Sequence, residues 1–230
     1  MSQKTRILLA GATGLTGRAI IQQCSNHFPE VEIKALVRAP VTDFPDKVQQ
    51  IVADYAHLED VQEAMEAETV ICCLGTTRKK AGSVAEFRKV DVDYPLALAK
   101  RARFFSNRFI LVSSAGAGKA IPNTYLNAKR DVEKGLMSLG FSSLHIFRPG
   151  FLDGHRQEKR SFERIALRAM KSMAWALPAA YKPMPVDTLA MAILQAGKME
   201  EKGIFIYENE DIPAIAQGAK VKKNTLGLGI

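Results

Sequence analysis

The sequence predicts an α/β fold: a Rossmann-like, doubly wound parallel sheet in a single domain with a small C-terminal cap. Three observations predict it. Short β-rich runs alternate with helix-length segments, several runs are apolar at nearly every position, and a glycine-rich turn follows the first run. Alternating strands and helices call for right-handed crossovers within a parallel sheet. Strands covered on both faces lose the usual in–out pattern and read as continuous apolar runs.

In chain order the predicted strands are 6–10 (RILLA), 31–37 (VEIKALV), 48–53 (VQQIVA), 69–74 (TVICCL), 108–113 (RFILVS), 143–147 (SLHIF) and 203–207 (GIFIY), about seven in all. Helix-like segments lie near 15–26, 58–66, 83–104, 124–139, 161–174 and 187–199. With 230 residues, 47% hydrophobic and 24% charged, the chain has material for a sizeable core and does not have a disordered composition. One domain over 1–212 is the simplest division. The stretch 213–230 has weak periodicity and is expected to be a loosely held tail.

Composition excludes several function classes. No run of about 18 apolar residues occurs, so no membrane span is expected. The N-terminal residues lead straight into the first strand without an apolar signal region, and the odd set Cys24, Cys72 and Cys73 is no disulfide framework. Both features point to a reducing, cytoplasmic setting. The histidines at 27, 57, 145 and 155 lack ligand spacing, so no metal is expected. The net charge of +8 falls mostly in the C-terminal half, but no nucleic-acid reading element accompanies it.

The first strand runs into Gly11-Ala-Thr13-Gly14-Leu15-Thr16-Gly17 and then a helical segment. Glycine permits the tight turn and close backbone approach to a pyrophosphate, and a helix N-terminus presents free N–H groups to the anion. Position between first strand and first helix makes dinucleotide binding the preferred reading over a purely structural turn. An NAD site usually carries a carboxylate at the end of the second strand; here that strand ends in Arg38. Arginine pairs well with a 2′-phosphate, which favours NADP(H), with NAD(H) retained as the alternative. Asp54 follows the third strand and can either meet the adenine amino group or cap the next helix.

Ser113 and Ser114 end the fifth strand, and Tyr125-Leu-Asn-Ala-Lys129 opens the next helix. Residues i and i+4 share a helix face, so Tyr125 and Lys129 point the same way. A neighbouring ammonium favours the phenolate, and a serine hydroxyl can polarise a carbonyl oxygen that the tyrosine protonates. These four are the candidate catalytic residues.

The glycine turn and YxxxK pair resemble the short-chain dehydrogenase/reductase superfamily in its atypical branch. The stretches VICCLGTTRKKAG (70–82), FRKVDVDY (87–94) and FRPGFLDGHRQE (147–158) resemble NADPH-binding oxidoreductases similar to the human Tat-interacting protein. The resemblance runs from about residue 6 to residue 209. It implies that Thr13, Gly14, Leu15, Thr16 and Arg38 hold the adenosine phosphates. It also implies that Leu74, Gly75 and Thr76 line the cofactor, and that Leu152 and Arg160 close over its nicotinamide end. Tyr125 would be the proton donor and Lys129 would hold the nicotinamide ribose. The sequence departs from the family at Ala39, where a second arginine is usual, and at His155, where an acidic residue is usual.

The remaining features have ordinary readings. Cys72 and Cys73 point to opposite strand faces and are expected to be inert. The basic segment from His155 through Arg160, Arg164, Arg168 and Lys171 reads as a solvated helix face. Trp175, Leu177, Tyr181 and Met184 suit either a substrate-pocket wall or the core. The reading favoured is an oxidoreductase on a small carbonyl or alcohol substrate. A non-catalytic NADPH-binding regulator of a protein partner comes next, and a nucleotide-sugar epimerase or dehydratase last. Monomer and homodimer are both compatible.

Overall fold

The computed structural model describes residues 5–119, 123–154 and 178–219. A seven-stranded sheet runs through it in the order β3-β2-β1-β4-β5-β6-β9, every pairing parallel. Its strands are β1 (Arg6–Ala10), β2 (Glu32–Val37), β3 (Val48–Val52), β4 (Thr69–Cys72), β5 (Arg108–Val112), β6 (Ser143–Arg148) and β9 (Gly203–Glu208). All seven predicted strands are present, with ends shifted by no more than two residues. A small parallel pair, β7 (Leu152–Asp153) and β8 (Met184–Pro185), caps the carboxyl end of the sheet.

Continuous apolar strands follow from having both faces covered. Ile7 and Leu9 of β1 pack into a layer with α1 (Leu15–His27), α6 (Val186–Gly197) and α7 (Ile212–Ala216). Leu8 and Ala10 enter the opposite layer with α4 (Tyr94–Ala102) and α5 (Thr124–Met137). Successive side chains of a strand point to opposite faces, so β1 needs apolar residues throughout. Two predicted features differ in detail. The helix expected near 58–66 is a pair of 3-10 turns, Leu58–Met65, kinked at Val61. The tail expected from residue 213 starts inside α7, where Ile215 is buried. The helix predicted over 161–174 lies outside the described residues.

The single helix predicted over 83–104 is three elements. α2 (Arg78–Ala81) precedes α3 (Val84–Arg88), a π turn (Lys89–Asp93) and α4. Pro95, at the start of α4, has no N–H to return to the preceding turn. The Tyr94 N–H reaches five residues back to the Lys89 carbonyl instead. Such wide turns change which face a residue presents, and here Asp91 becomes buried.

Chain direction positions the site. From β1 the chain winds outward through α1 to β2 and β3, then returns past β1 to form β4 on its other side. Connections therefore diverge at the carboxyl ends of β1 and β4, which is where open α/β sheets hold their ligands. Gly11 and Cys73–Gly75 border this crevice, pinned by the Cys73 N–H donating to the Ala10 carbonyl at 2.8 Å.

Candidate active site

The three glycines of the turn do different work. Gly11 has φ +81°, and a Cβ there would lie 2.6 Å from the Cys73 carbonyl carbon. A Cβ at Gly17 would lie 2.3 Å from the Gly11 carbonyl oxygen. Both positions are fixed by backbone packing. Gly14 has ordinary φ and would meet only the Gly11 oxygen, at 3.3 Å. It precedes α1, which has neither a capping side chain nor an acidic residue in its first turn. Thr13 and Gly14 are exposed, Thr16 is buried, and half-buried Leu15 reaches Gly154 beside Leu152. An uncapped helix N-terminus behind bare backbone is a cradle for an anion.

Arg38 is exposed at the end of β2 and makes no ion pair among the described residues. Asp54 is also exposed, and its Oδ1 accepts the Ala56 N–H at 2.9 Å, so one carboxylate oxygen serves a local turn. Its neighbour Tyr55 was not singled out by the sequence. Its ring is buried and stacks on Tyr94 at 5.4 Å, with the hydroxyl beside the Gly11 amide. Burial pushes the ionisation of that phenol up.

Asn123 organises the start of α5, the helix that carries Tyr125 and Lys129. Its Oδ1 accepts the N–H groups of Tyr125 at 2.9 Å and Leu126 at 3.2 Å, which fixes where α5 begins. Tyr125 stands in the first turn with its ring against Phe87, centroids 6.0 Å apart. Lys129 follows one turn on, its Nζ 5.8 Å from the Tyr125 ring centre. The expected shared face is present.

Lys129 has a partner that the sequence reading missed. Its Nζ lies 2.9 Å from Asp91 Oδ1, with the side chains 5% and 0% exposed. Asp91 Oδ2 accepts the Thr76 N–H at 2.8 Å. Burial opposes the ammonium, but attraction to Asp91 and then to Tyr125 outweighs it and holds the Lys129 pKa above the ordinary lysine range. A Cβ on Gly75 would lie 3.4 Å from both charged groups, so Gly75 and Thr76 are tied to the pair. Leu74 is half-buried beside them. The available signal was Asp91 inside an otherwise helical pattern just before Pro95.

The two serines diverge. Ser113 is buried and its Oγ donates to Glu133 Oε1 at 2.5 Å. Glu133 also accepts from Arg148 at 3.1 and 2.6 Å, and Arg148 donates onward to Glu208 at 2.7 Å. The Ser113 hydroxyl is thus committed to a buried cluster and not grouped with Tyr125 and Lys129. Ser114 is half-buried, and its hydroxyl makes no hydrogen bond among the described residues. It begins a turn closed by the Ala117 N–H on the Ser114 carbonyl at 3.1 Å. Gly116 in that turn has φ +87°, and a Cβ there would lie 3.1 Å from the Tyr181 hydroxyl. Tyr181 therefore stands at the site, whereas Met184 is core. Half-buried Leu152 packs beside Met184 in the β7–β8 pair. Arg160, His155, Trp175 and Leu177 lie outside the described residues.

Cys72 faces the α4–α5 layer and Cys73 the α1 layer. Burial pushes the Cys72 thiol up to about 11 and raises that of Cys73 as well, so neither is a ready thiolate. Among the described residues no helix is long and apolar enough to cross a membrane.

A family model described as NAD(P)H-binding matches residues 11–168, from the first glycine of the turn through the Tyr125–Lys129 helix. The chain belongs to that family, within the atypical short-chain dehydrogenases/reductases. It is 33% identical over 209 residues to Protein HTATIP2 of Rattus norvegicus, covering 86% of each chain. It is 32% identical over 171 residues to the mitochondrial Protein FMP52 of Coccidioides immitis, covering 67% of this chain and 69% of that one. Two solved structures share the fold. The ADP-L-glycero-D-manno-heptose-6-epimerase of Helicobacter pylori has a TM-score of 0.68 at 16% identity, over 94% of this chain and 84% of that one. The UDP-glucose 4-epimerase of Thermotoga maritima has a TM-score of 0.68 at 14% identity, over 96% and 85%. At such identities the family's fold is shared, and the sugar-nucleotide chemistry belongs to those enzymes.

Proposed function

We propose that the chain is an NADP(H)-dependent reductase or dehydrogenase acting on a small carbonyl compound or alcohol. The observation that carries this reading is Tyr125 and Lys129 on one face of α5, with Ser114 at the end of the neighbouring strand. The residues present fit the cofactor. The uncapped N-terminus of α1 and the bare surface at Gly14 suit a pyrophosphate, and Arg38, exposed at the end of β2 and without an ion pair among the described residues, suits a 2′-phosphate. Thr13, Leu15, Thr16, Leu74, Gly75, Thr76 and Leu152 border the same crevice.

When bound, the nicotinamide supplies or accepts hydride. The chain's own residues handle the proton. The Tyr125 hydroxyl donates to the substrate oxygen as negative charge develops there, and the Ser114 hydroxyl donates a hydrogen bond to the same oxygen. Lys129, kept cationic by Asp91, stabilises the phenolate left on Tyr125 and would hold a ribose hydroxyl of the bound cofactor. Tyr181, above Gly116, forms part of the substrate wall.

Calorimetric titration with NADPH and NADH, followed by turnover of a carbonyl panel by the parent and by Tyr125→Phe, tests the proposal. It expects tighter NADPH binding and a Tyr125→Phe variant that binds cofactor but does not turn over. Unchanged turnover in that variant removes the mechanism. Cofactor binding without turnover of any carbonyl or alcohol returns the chain to the regulatory reading.

A further inference from the structure

The segment Lys100-Arg-Ala-Arg-Phe-Phe-Ser-Asn-Arg108 concentrates positive charge around two aromatic residues, and no acidic residue occurs between Asp93 and Asp131. Phe104 is 75% exposed and Phe105 44% exposed, at the turn between α4 and β5. Contiguous exposed apolar surface, unlike single scattered residues, marks an interaction site.

The backbone presents them in a fixed way. The Phe104 N–H donates to the Arg101 carbonyl at 3.3 Å and the Phe105 N–H to the Ala102 carbonyl at 3.0 Å. The Ser106 N–H donates to Ala102 at 2.8 Å, and its Oγ donates to the Ala67 carbonyl at 2.6 Å. The Arg103 guanidinium lies over the Phe104 ring, 5.5 Å from its centre.

The neighbouring charges balance toward positive. Arg101 pairs with Glu59 at 3.3 Å, both exposed. Lys100 and Arg103 make no ion pair among the described residues. Phe105 also borders a cleft that holds Glu66, Glu68 and Glu200, set against Arg6, Arg108 and Lys202. Glu68 there is already 3.4 Å from Arg6. The excess cations thus sit on the Phe104 side of the turn, beside the more exposed ring.

We infer that the Phe104–Phe105 turn is a docking surface for an anionic lipid bilayer, with the two rings entering the interface and Lys100, Arg101 and Arg103 meeting the headgroups. Exposed aromatics flanked by basic residues combine the apolar and the electrostatic contributions that interfacial binding requires. The orientation is also defined. Arg108 opens β5, and the carboxyl end of β5 leads to Ser114, so the docked end of the sheet is opposite the glycine turn. Docking would leave the crevice facing water.

Pelleting of the full chain with phosphatidylcholine vesicles, with and without phosphatidylserine, tests this. Binding is expected only to the phosphatidylserine vesicles, and added salt should weaken it. Replacing both rings (Phe104→Ser with Phe105→Ser) is expected to lower partitioning about tenfold or more, as is Lys100→Glu with Arg103→Glu. Unchanged thermal midpoints and NADPH binding would show that these surface variants are folded. Three results overturn the inference: parent chain that stays in the supernatant, a double-ring variant that pellets like the parent, or lipid-free dimerisation that the ring substitutions abolish.

Discussion

Asp91 and Lys129 form a buried ion pair, 2.9 Å between Oδ1 and Nζ, that joins the π turn to α5 one helical turn beyond Tyr125. Breaking a buried pair from one side leaves an uncompensated charge, which costs about 3–5 kcal/mol. Asp91→Asn is therefore expected to lower the urea unfolding midpoint strongly and to weaken NADPH binding. The pH dependence has a definite sign. Lys129 is held above its unfolded value of 10.5, so its contribution is complete below that pH and is lost as pH rises through the higher folded value. Stability curves on the alkaline side should fall for the parent and flatten or turn upward for Asp91→Asn, where burial is no longer outweighed by the carboxylate.

The glycine turn separates fold from ligand. Gly11→Ala places a Cβ against the Cys73 backbone just past β4, at a positive φ, and should destabilise the chain by at least about 2 kcal/mol. Gly14→Ala has an ordinary φ and meets only the Gly11 carbonyl oxygen, at 3.3 Å, so it should cost less, about 1 kcal/mol or below. Its NADPH Kd should nevertheless rise at least tenfold, about 1.4 kcal/mol, because the new methyl covers the backbone an anion would approach. Thermal unfolding and calorimetry on the two variants check the contrast.

The adjacent serines should separate in the same manner. Ser114→Ala is expected to reduce kcat by about 100-fold with little effect on unfolding, as for loss of a donor to a developing oxyanion. Ser113→Ala removes a donor to buried Glu133 and should cost about 1–3 kcal/mol of stability while changing turnover much less. Parallel kinetics and denaturant titrations decide which serine faces the substrate.

His145 carries a pH dependence away from the site. It is buried between Ser143 and Tyr207, with ring nitrogens 2.8 Å from each hydroxyl. Burial, and secondarily Arg108, hold its pKa at about 3 against 6.5 unfolded. A depressed histidine favours folding above its unfolded value, and that advantage is lost as pH falls from 6.5 toward 3. At about pH 5 the loss is on the order of 2 kcal/mol. Denaturation midpoints at neutral and mildly acidic pH should converge in His145→Gln, from a lower neutral value, whereas the parent should fall.

The sheet was legible chiefly because its central strands are buried on both faces. Ile7–Ala10 and Val70–Cys72 are apolar at every position and divide between the two layers, the pattern of strands covered on both faces. The glycine turn and the Tyr125–Lys129 face were legible because both are local spacings along one element. Asp91 was not, because its burial depends on a wide turn forced by Pro95 four residues later. A uniform helical periodicity over 83–104 places that carboxylate without regard to the turn. Ser113 and Ser114 could not be separated either. Which of two adjacent residues at a strand end turns inward depends on Glu133 and Arg148, which arrive from α5 and β6.

The contact between Gly11 and Cys73 bears on how the glycine pattern is used as a signature. Two of its three glycines answer to the chain's own backbone, Gly11 to Cys73 just past β4 and Gly17 to the Gly11 carbonyl. A descendant that had abandoned nucleotides altogether would still need both in order to fold. Gly14 is the least bound by that obligation, so substitution there, with the flanking glycines intact, is the expected scar of a lineage in which this scaffold has been retired from nucleotide binding.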